Sequence, residues 1–180
     1  IPVEVAMPSV TDLRACWERL KAAICEKTGA VAQNIRPNPL VAANLYNTLE
    51  SNAYAVEAVM FANEVLDVRA RNQNLLGLAY DIGTTTIAAY LIDLRSGEQL
   101  AQASLLNPQV KYGADVIMRT KYSIENGVSG PTQDVHVALS ELADKCLQQI
   151  QGAAADVYLV TIVGNTCMHH LFLGISPAHA

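Results

Sequence analysis

The sequence predicts an α/β fold on three observations. Residues 75–106 hold three apolar, strand-like segments in succession, "LLGLAYDIG", "TTIAAYLIDL" and "QLAQASLL", joined by short polar turns. After Pro131, Val135, Ala138, Leu139, Leu142, Ala143, Cys146, Leu147 and Ile150 keep an unbroken i, i+3, i+4 spacing, the mark of an amphipathic helix. A further apolar segment, "DVYLVTIVG", then follows, where a strand returning parallel to the same sheet would lie.

Ahead of that pattern, residues 9 to 29 are expected to be helical. Leu13, Trp17, Leu20 and Ile24 recur at helical spacing, Ser9 or Thr11 can cap the start, and Gly29 can end it. Trp17 is placed in the core of this segment. Asn38-Pro39 opens a second helix running to about Leu49, with Asn as cap and Pro in the first turn. "YAVEAVMFANEVLDVRA" predicts two short strands around a turn near Asn63. The polar stretch "RARNQN" is the linker candidate. Residues 1–73 are therefore expected to form a small α+β module, and residues 74–180 a second domain.

In that second domain the first two strands are nearly continuous apolar runs, as for strands covered on both faces. The third alternates, leaving one wetter side. "NPQ" at 107–109 breaks the chain, "GADVIMRTKYSIENG" is expected to be a helix ending near Gly127, and Gly152 is expected to end the helix after Pro131. "DVYLVTIVG" is expected to be another buried strand, and "NTCMHHLFLG" a short helix. The order β-β-β-α-α-β-α, with three antiparallel strands and a parallel fourth, makes a ribonuclease-H-like layer.

Composition narrows the function. The chain has 180 residues, 51% hydrophobic and 16% charged, enough apolar content for a true core. No apolar run reaches the ~18 residues a membrane span needs, so no membrane partner is expected. The net charge of -5 gives no basic footprint, so nucleic acid is not expected either. Cys16, Cys25, Cys146 and Cys167 form no CxxC pair and do not cluster with histidines, which argues against a zinc or iron–sulfur site built from this chain alone. Scattered thiols suit a reducing compartment, hence a cytoplasmic location. The chain opens "IPVEVAMP", with neither an initiator Met nor a basic signal region, and closes "LFLGISPAHA", so a piece of a longer protein is expected.

The chemistry concentrates in "DIGTTT", residues 81–86, at the turn between the first two strands of the second domain. Consecutive amides of small residues in a turn can converge on an anion. Gly83 has no Cβ, so a phosphate can approach the backbone, and Thr84, Thr85 and Thr86 add hydroxyl donors. Asp81 needs a cation between itself and phosphates; Mg²⁺, which favours one or two carboxylates plus water and phosphate oxygens, meets that need through a water. The competing assignment is ordinary turn chemistry, since Asp and Gly dominate turns and Thr is common in strands.

"DIGTTT" with this element order resembles the first phosphate motif of the acetate and sugar kinase, heat-shock protein and actin (ASKHA) ATPase superfamily. More narrowly, "GLAYDIGTTTIAAYLIDLRSGEQLAQASLLNPQVKYGADVIMRTKY" and "VGNTCMHHLFLGISP" resemble the reductive activators of corrinoid proteins, over roughly residues 75–177. The start near Pro8 resembles that family's middle region more loosely. The resemblance implies an ATP-dependent enzyme that returns Co(II) corrinoid to Co(I) in methyl-transfer systems, with Mg-ATP bound and a corrinoid protein as partner; it leaves a homodimer open. It further implies that Asp81 is the Mg-linked catalytic carboxylate, that Gly83, Thr84, Thr85 and Thr86 cradle phosphate, and that Asn107, Gln109, Gly113 and Asp115 face the cleft or the corrinoid partner. Met118 and Cys167 stand where the family pattern leads one to expect smaller polar residues. The family's [2Fe–2S] domain and its downstream phosphate and adenosine motifs are not seen in this chain. The expectation is thus the first half of an actin-like ATPase domain, preceded by a middle or linker module, and inactive alone.

Several residues admit two roles. Asp115 is either a second Mg-site or base carboxylate or a first-turn residue favoured by the helix dipole. Asn165 is either a site residue or a turn residue satisfying backbone groups. His169-His170 is weighed as a metal pair but assigned a structural or partner-facing role, because adjacent helical residues point ~100° apart. Tyr112 and Tyr122 are candidates for a partner surface. Two alternative functions stand beside the first: a small-molecule kinase of the same superfamily with Asp115 as base, and a non-catalytic actin-like ATP-binding scaffold.

Overall fold

The computed structural model describes residues 1–179, which form two compact units, the first Ile1–Gln73 and the second beginning at Asn74. Among these residues no helix is long and apolar enough to cross a membrane.

The first unit is a four-stranded sheet with two helices. Strands β1 (Pro2–Glu4), β3 (Ala55–Phe61) and β4 (Glu64–Arg69) run antiparallel in that order, and β2 (Arg36–Pro37) adds in parallel beside β4. Helices α1 (Cys16–Thr28) and α2 (Pro39–Ser51) pack Leu20, Ile24, Leu45 and Leu49 into a core shared with Val56 and Val65, and Trp17 lies half-buried against it. Asn38 caps α2 as expected, accepting from the Leu40 N–H at 3.0 Å. Gly29 ends α1 in the left-handed conformation, at φ 71°. The start of α1 is a correction. The helix begins at Cys16 rather than near residue 9, and Leu13 is 88% exposed. Asp12 accepts from the Arg14 backbone N–H and is paired with its guanidinium, a local turn that competes with helix formation.

The second unit holds a four-stranded mixed sheet. Strands β5 (Leu76–Ile82), β6 (Thr86–Asp93) and β7 (Gln99–Leu106) form the antiparallel meander, and β8 (Val157–Gly164) runs parallel to β5. A 3-10 turn (Pro108–Tyr112), α3 (Val116–Asn126) and α4 (Ser129–Ile150) separate β7 from β8, and α5 (Thr166–Leu173) follows β8. The long helix α4 lies on β6 and β7, setting Val135, Leu142 and Cys146 against Tyr80, Ile87 and Leu91. The Tyr80 hydroxyl donates to the Leu139 carbonyl at 3.0 Å, and burial pushes its pKa up to about 12.

Two expectations change here. Helix α4 starts two residues before Pro131, and the left-handed residue at its end is Gln151, at φ 55°, rather than Gly152. Strand β8 is not buried: Val160 and Val163 are 52% and 58% exposed, because among the described residues β8 pairs only with β5 and forms the sheet edge.

Leu142, in the middle of α4, is fully buried in this core. Leu142→Ala is expected to lower unfolding free energy by about 2–5 kcal/mol, transfer and cavity contributions together. Denaturant titration checks this; a loss under about 1 kcal/mol would mean that α4 does not close the core as tightly as its burial indicates.

Candidate functional site

The sheet register brings three chain segments to one end. Ile82 pairs with Ile87 across the hairpin and with Gly164 across the parallel edge, and Thr86 pairs with Leu106. Loop 83–85 therefore emerges beside Asn107, which follows β7, and Asn165, which follows β8. Each of these asparagines starts a helical element. Asn107 Oδ1 accepts from the Gln109 N–H at 2.9 Å, and Asn165 Oδ1 accepts from the Met168 N–H at 3.0 Å.

Donors from behind the loop hold three successive carbonyls. The Gly83 carbonyl accepts from Asn107 Nδ2 at 2.8 Å, the Thr84 carbonyl from Arg119 Nη2, and the Thr85 carbonyl from the Asn107 N–H at 2.8 Å. In a trans peptide the N–H lies opposite the C=O, and no peptide here is cis. Fixing the Gly83 and Thr84 carbonyls inward thus turns the Thr84 and Thr85 N–H groups outward, and neither donates to another described residue. Asn165 Nδ2 lies 3.3 Å from Thr84 Oγ1; with Asn165 donating, the Thr84 hydroxyl keeps its own proton for another acceptor. Gly83 is required sterically, since a Cβ there would sit 2.5 Å from the Thr86 carbonyl oxygen. Thr85 and Thr86 are exposed, at the open side of the loop.

Asp81 is exposed one residue before the end of β5, in register with Ala88 and Val163. Among the described residues its carboxylate meets no cation and accepts no hydrogen bond. Outward amides beside an uncompensated carboxylate suit a ligand carrying both anionic oxygens and a cation. The donor set therefore fits a magnesium-bound phosphate.

Other sequence candidates take supporting positions. Asn107 and Gln109 are fully buried, which corrects the expectation that they face a cleft or a partner. Gln109 Nε2 donates to the Pro131 carbonyl at 2.9 Å, tying the 3-10 turn to the start of α4. Asp115 caps α3, with Oδ1 accepting from the Met118 N–H at 2.8 Å. Gly113 abuts α3 so closely that a Cβ would lie 2.5 Å from the Arg119 backbone nitrogen. His170 Nδ1 lies 2.8 Å from the Thr166 carbonyl, and no group of three or more metal-ligating side chains forms among the described residues. Tyr112 and Tyr122 pack against each other, ring centroids 4.9 Å apart and planes tilted by 42°.

Arg119 is the residue that sequence reasoning missed. Helix α3 reverses the usual amphipathic order, burying Arg119 and Ser123 while Ile117 is 78% exposed. A pattern that assigns charge to the solvent side cannot find such a residue. The only sequence signal is its place one turn after the capping Asp115.

Asn107→Ala would leave the Gly83 carbonyl and the Gln109 N–H without their partner. About 1–3 kcal/mol of destabilisation is expected, the usual penalty for orphaned buried polar groups. Chemical denaturation reads it; an unchanged midpoint would show that the loop does not depend on this side chain.

The fold and site together define a mixed-sheet α/β unit whose hairpin loop is braced from behind and open in front. Residues 76–180 match the family described as the RACo middle region, and residues 1–74 match the RACo linker region. The chain belongs to the RACo middle-region family. It is 34% identical over 131 residues to the corrinoid activation enzyme RamQ of Eubacterium limosum, covering 69% of this chain and 22% of that protein. The solved structure of a reductive activator for corrinoid, iron–sulfur protein superposes with a TM-score of 0.83 at 28% identity, covering 98% of this chain and 29% of the other. The chain thus spans less than a third of the length of each of these relatives.

Proposed function

We propose that this chain is part of a longer, cytoplasmic, ATP-dependent reductive activator that returns Co(II) corrinoid proteins to Co(I) in methyl-transfer systems. The observation that carries the proposal is the loop at 83–85. Its carbonyls are tied down, its amides face outward, and Asp81 beside it has no counter-charge among the described residues. The names of the relatives supply the corrinoid partner. In this proposal the second unit is a ribonuclease-H-like layer forming the first half of an ASKHA-type ATPase domain, and the first unit is its linker module.

Thr84 and Thr85 would donate to phosphate oxygens, and Asp81 would hold Mg²⁺ through water. The bound Mg²⁺ would neutralise phosphate charge. The [2Fe–2S] centre implied by the family does not fit the residues present. All four cysteines are free thiols, and neither unit holds more than two of them. No electron-transfer step is therefore assigned to this chain's own residues.

Nucleotide binding can favour corrinoid reduction only by stabilising one conformer of the activator over another, and a tenfold bias requires about 1.4 kcal/mol. The kinase alternative gains no support from Asp115, whose carboxylate caps α3. ATP hydrolysis by the full-length protein, with and without a Co(II) corrinoid protein, tests the proposal. Stimulation by the corrinoid protein is expected. Turnover only with a small hydroxylated substrate, or filament formation without stimulation, would overturn it.

A further inference from the structure

Arg119 is a fully buried cation, and among the described residues no buried anion pairs with it. Its Nε donates to the Gly113 carbonyl at 2.8 Å, Nη2 donates to the Thr84 carbonyl, and Nη1 lies 3.5 Å from Met168 Sδ. All three acceptors are neutral, and no ion pair to Arg119 forms among the described residues. Asp115 and Cys167 are the acidic groups near enough to favour its charge, yet Asp115 is exposed at the α3 cap, where solvent screens it, and Cys167 is a buried thiol near the Thr120 hydroxyl. Burial alone works against the guanidinium. Arginine does not escape that penalty by losing its proton at neutral pH.

An unbalanced charge in such a place destabilises the folded chain unless something outside compensates it. The location indicates what that is. The Thr84–Thr85 peptide group stands between the guanidinium and solvent, its C=O on Arg119 and its N–H outward. The cation thus holds the peptide dipole with its positive end toward the open side of the loop and polarises the bond further.

We propose that Arg119 is a positioning residue for phosphate, fixing the Thr84–Thr85 peptide with its N–H outward and supplying from behind the loop the positive charge that an incoming polyphosphate matches. This rests on the assignment of the loop as a phosphate cradle. Arg119 touches the loop and not the ligand, so its effect falls on affinity for the charged part of a nucleotide alone. An adenosine moiety without phosphates gains nothing from it.

The test uses calorimetry on the full-length protein and its R119Q and R119K variants, with Mg-ATP and with adenosine as probes, and with melting temperatures recorded in parallel. Both variants end in an N–H donor, on a side chain shorter than arginine's, and only R119K keeps the charge. R119Q is expected to lose at least tenfold in Mg-ATP affinity, about 1.4 kcal/mol, with adenosine affinity unchanged. R119K is expected to stay within about threefold of the parent. Should R119Q fail to fold, R119K decides alone: retention of affinity supports the proposal and a tenfold loss overturns it. Equal Mg-ATP affinity in R119Q and parent, with only the melting temperature lowered, would make Arg119 purely structural and overturn the proposal. Failure of the parent itself to bind Mg-ATP is a separate result, which would overturn the phosphate assignment of the loop and this proposal with it.

Discussion

Asp81→Ala is expected to abolish Mg-dependent ATP hydrolysis by the full-length protein and to leave its folding intact. The carboxylate is exposed and has no partner among the described residues, so its removal breaks no contact with them. Substitutions of that kind usually change stability by under about 0.5 kcal/mol. A carboxylate that positions Mg²⁺ against the terminal phosphates acts where charge develops, and loss of one such electrostatic contact commonly lowers turnover by ~10²–10³. Hydrolysis measured across a Mg²⁺ titration, beside a melting curve, separates the two effects. Unchanged turnover at saturating Mg²⁺ would remove Asp81 from the site. A large drop in melting temperature would give it a structural role that its surroundings do not show.

Gly83→Ala is expected to reduce Mg-ATP affinity at least tenfold and to destabilise the second unit by about 1–3 kcal/mol, the range for forced overpacking. The added methyl would lie 2.5 Å from the Thr86 carbonyl oxygen, a backbone atom that cannot rotate away. Relief requires the hairpin mouth to open. That would pull the Gly83 carbonyl from Asn107 and turn the outward amides out of line. Calorimetry and denaturant titration on the same variant read both effects. Normal affinity at normal stability would mean that the mouth opens freely and that the loop geometry is not fixed in advance.

These two residues were legible in the sequence because they lie within one hexad, at a turn between two apolar strands. Much of the framework was legible for the same kind of reason. The long helix α4 rests on a periodic pattern, and the meander and the return strand β8 rest on apolar runs, each contained in a single segment. Two other features depended on relations between segments. Strand β8 is as apolar as a central strand, yet its exposure follows from having one neighbour, which no local pattern records. The start of α1 depended on a local contest between helix formation and the Asp12–Arg14 pair, and the apolar spacing through Leu13 favoured the losing side.

The site divides the same way. Asn107 and Asn165 stood out as polar residues just after strands, but their use is architectural: each caps a helical element and also reaches loop 83–85, a double function visible only once β7 and β8 end beside it. Arg119 was invisible because its helix runs inside-out. The guanidinium crosses from α3 to a carbonyl 35 positions earlier, and only the folded chain brings the two together.

Hydrogen exchange at the amides of Thr84 and Thr85 is the most direct measurement of the central claim. In the full-length protein these amides have no acceptor within the described chain and should exchange rapidly without nucleotide. Addition of Mg-ATP is expected to slow both, with little effect from adenosine or from ATP in excess chelator. Bound Mg-ATP with exchange at these two amides unchanged would place the phosphates elsewhere and contradict the account.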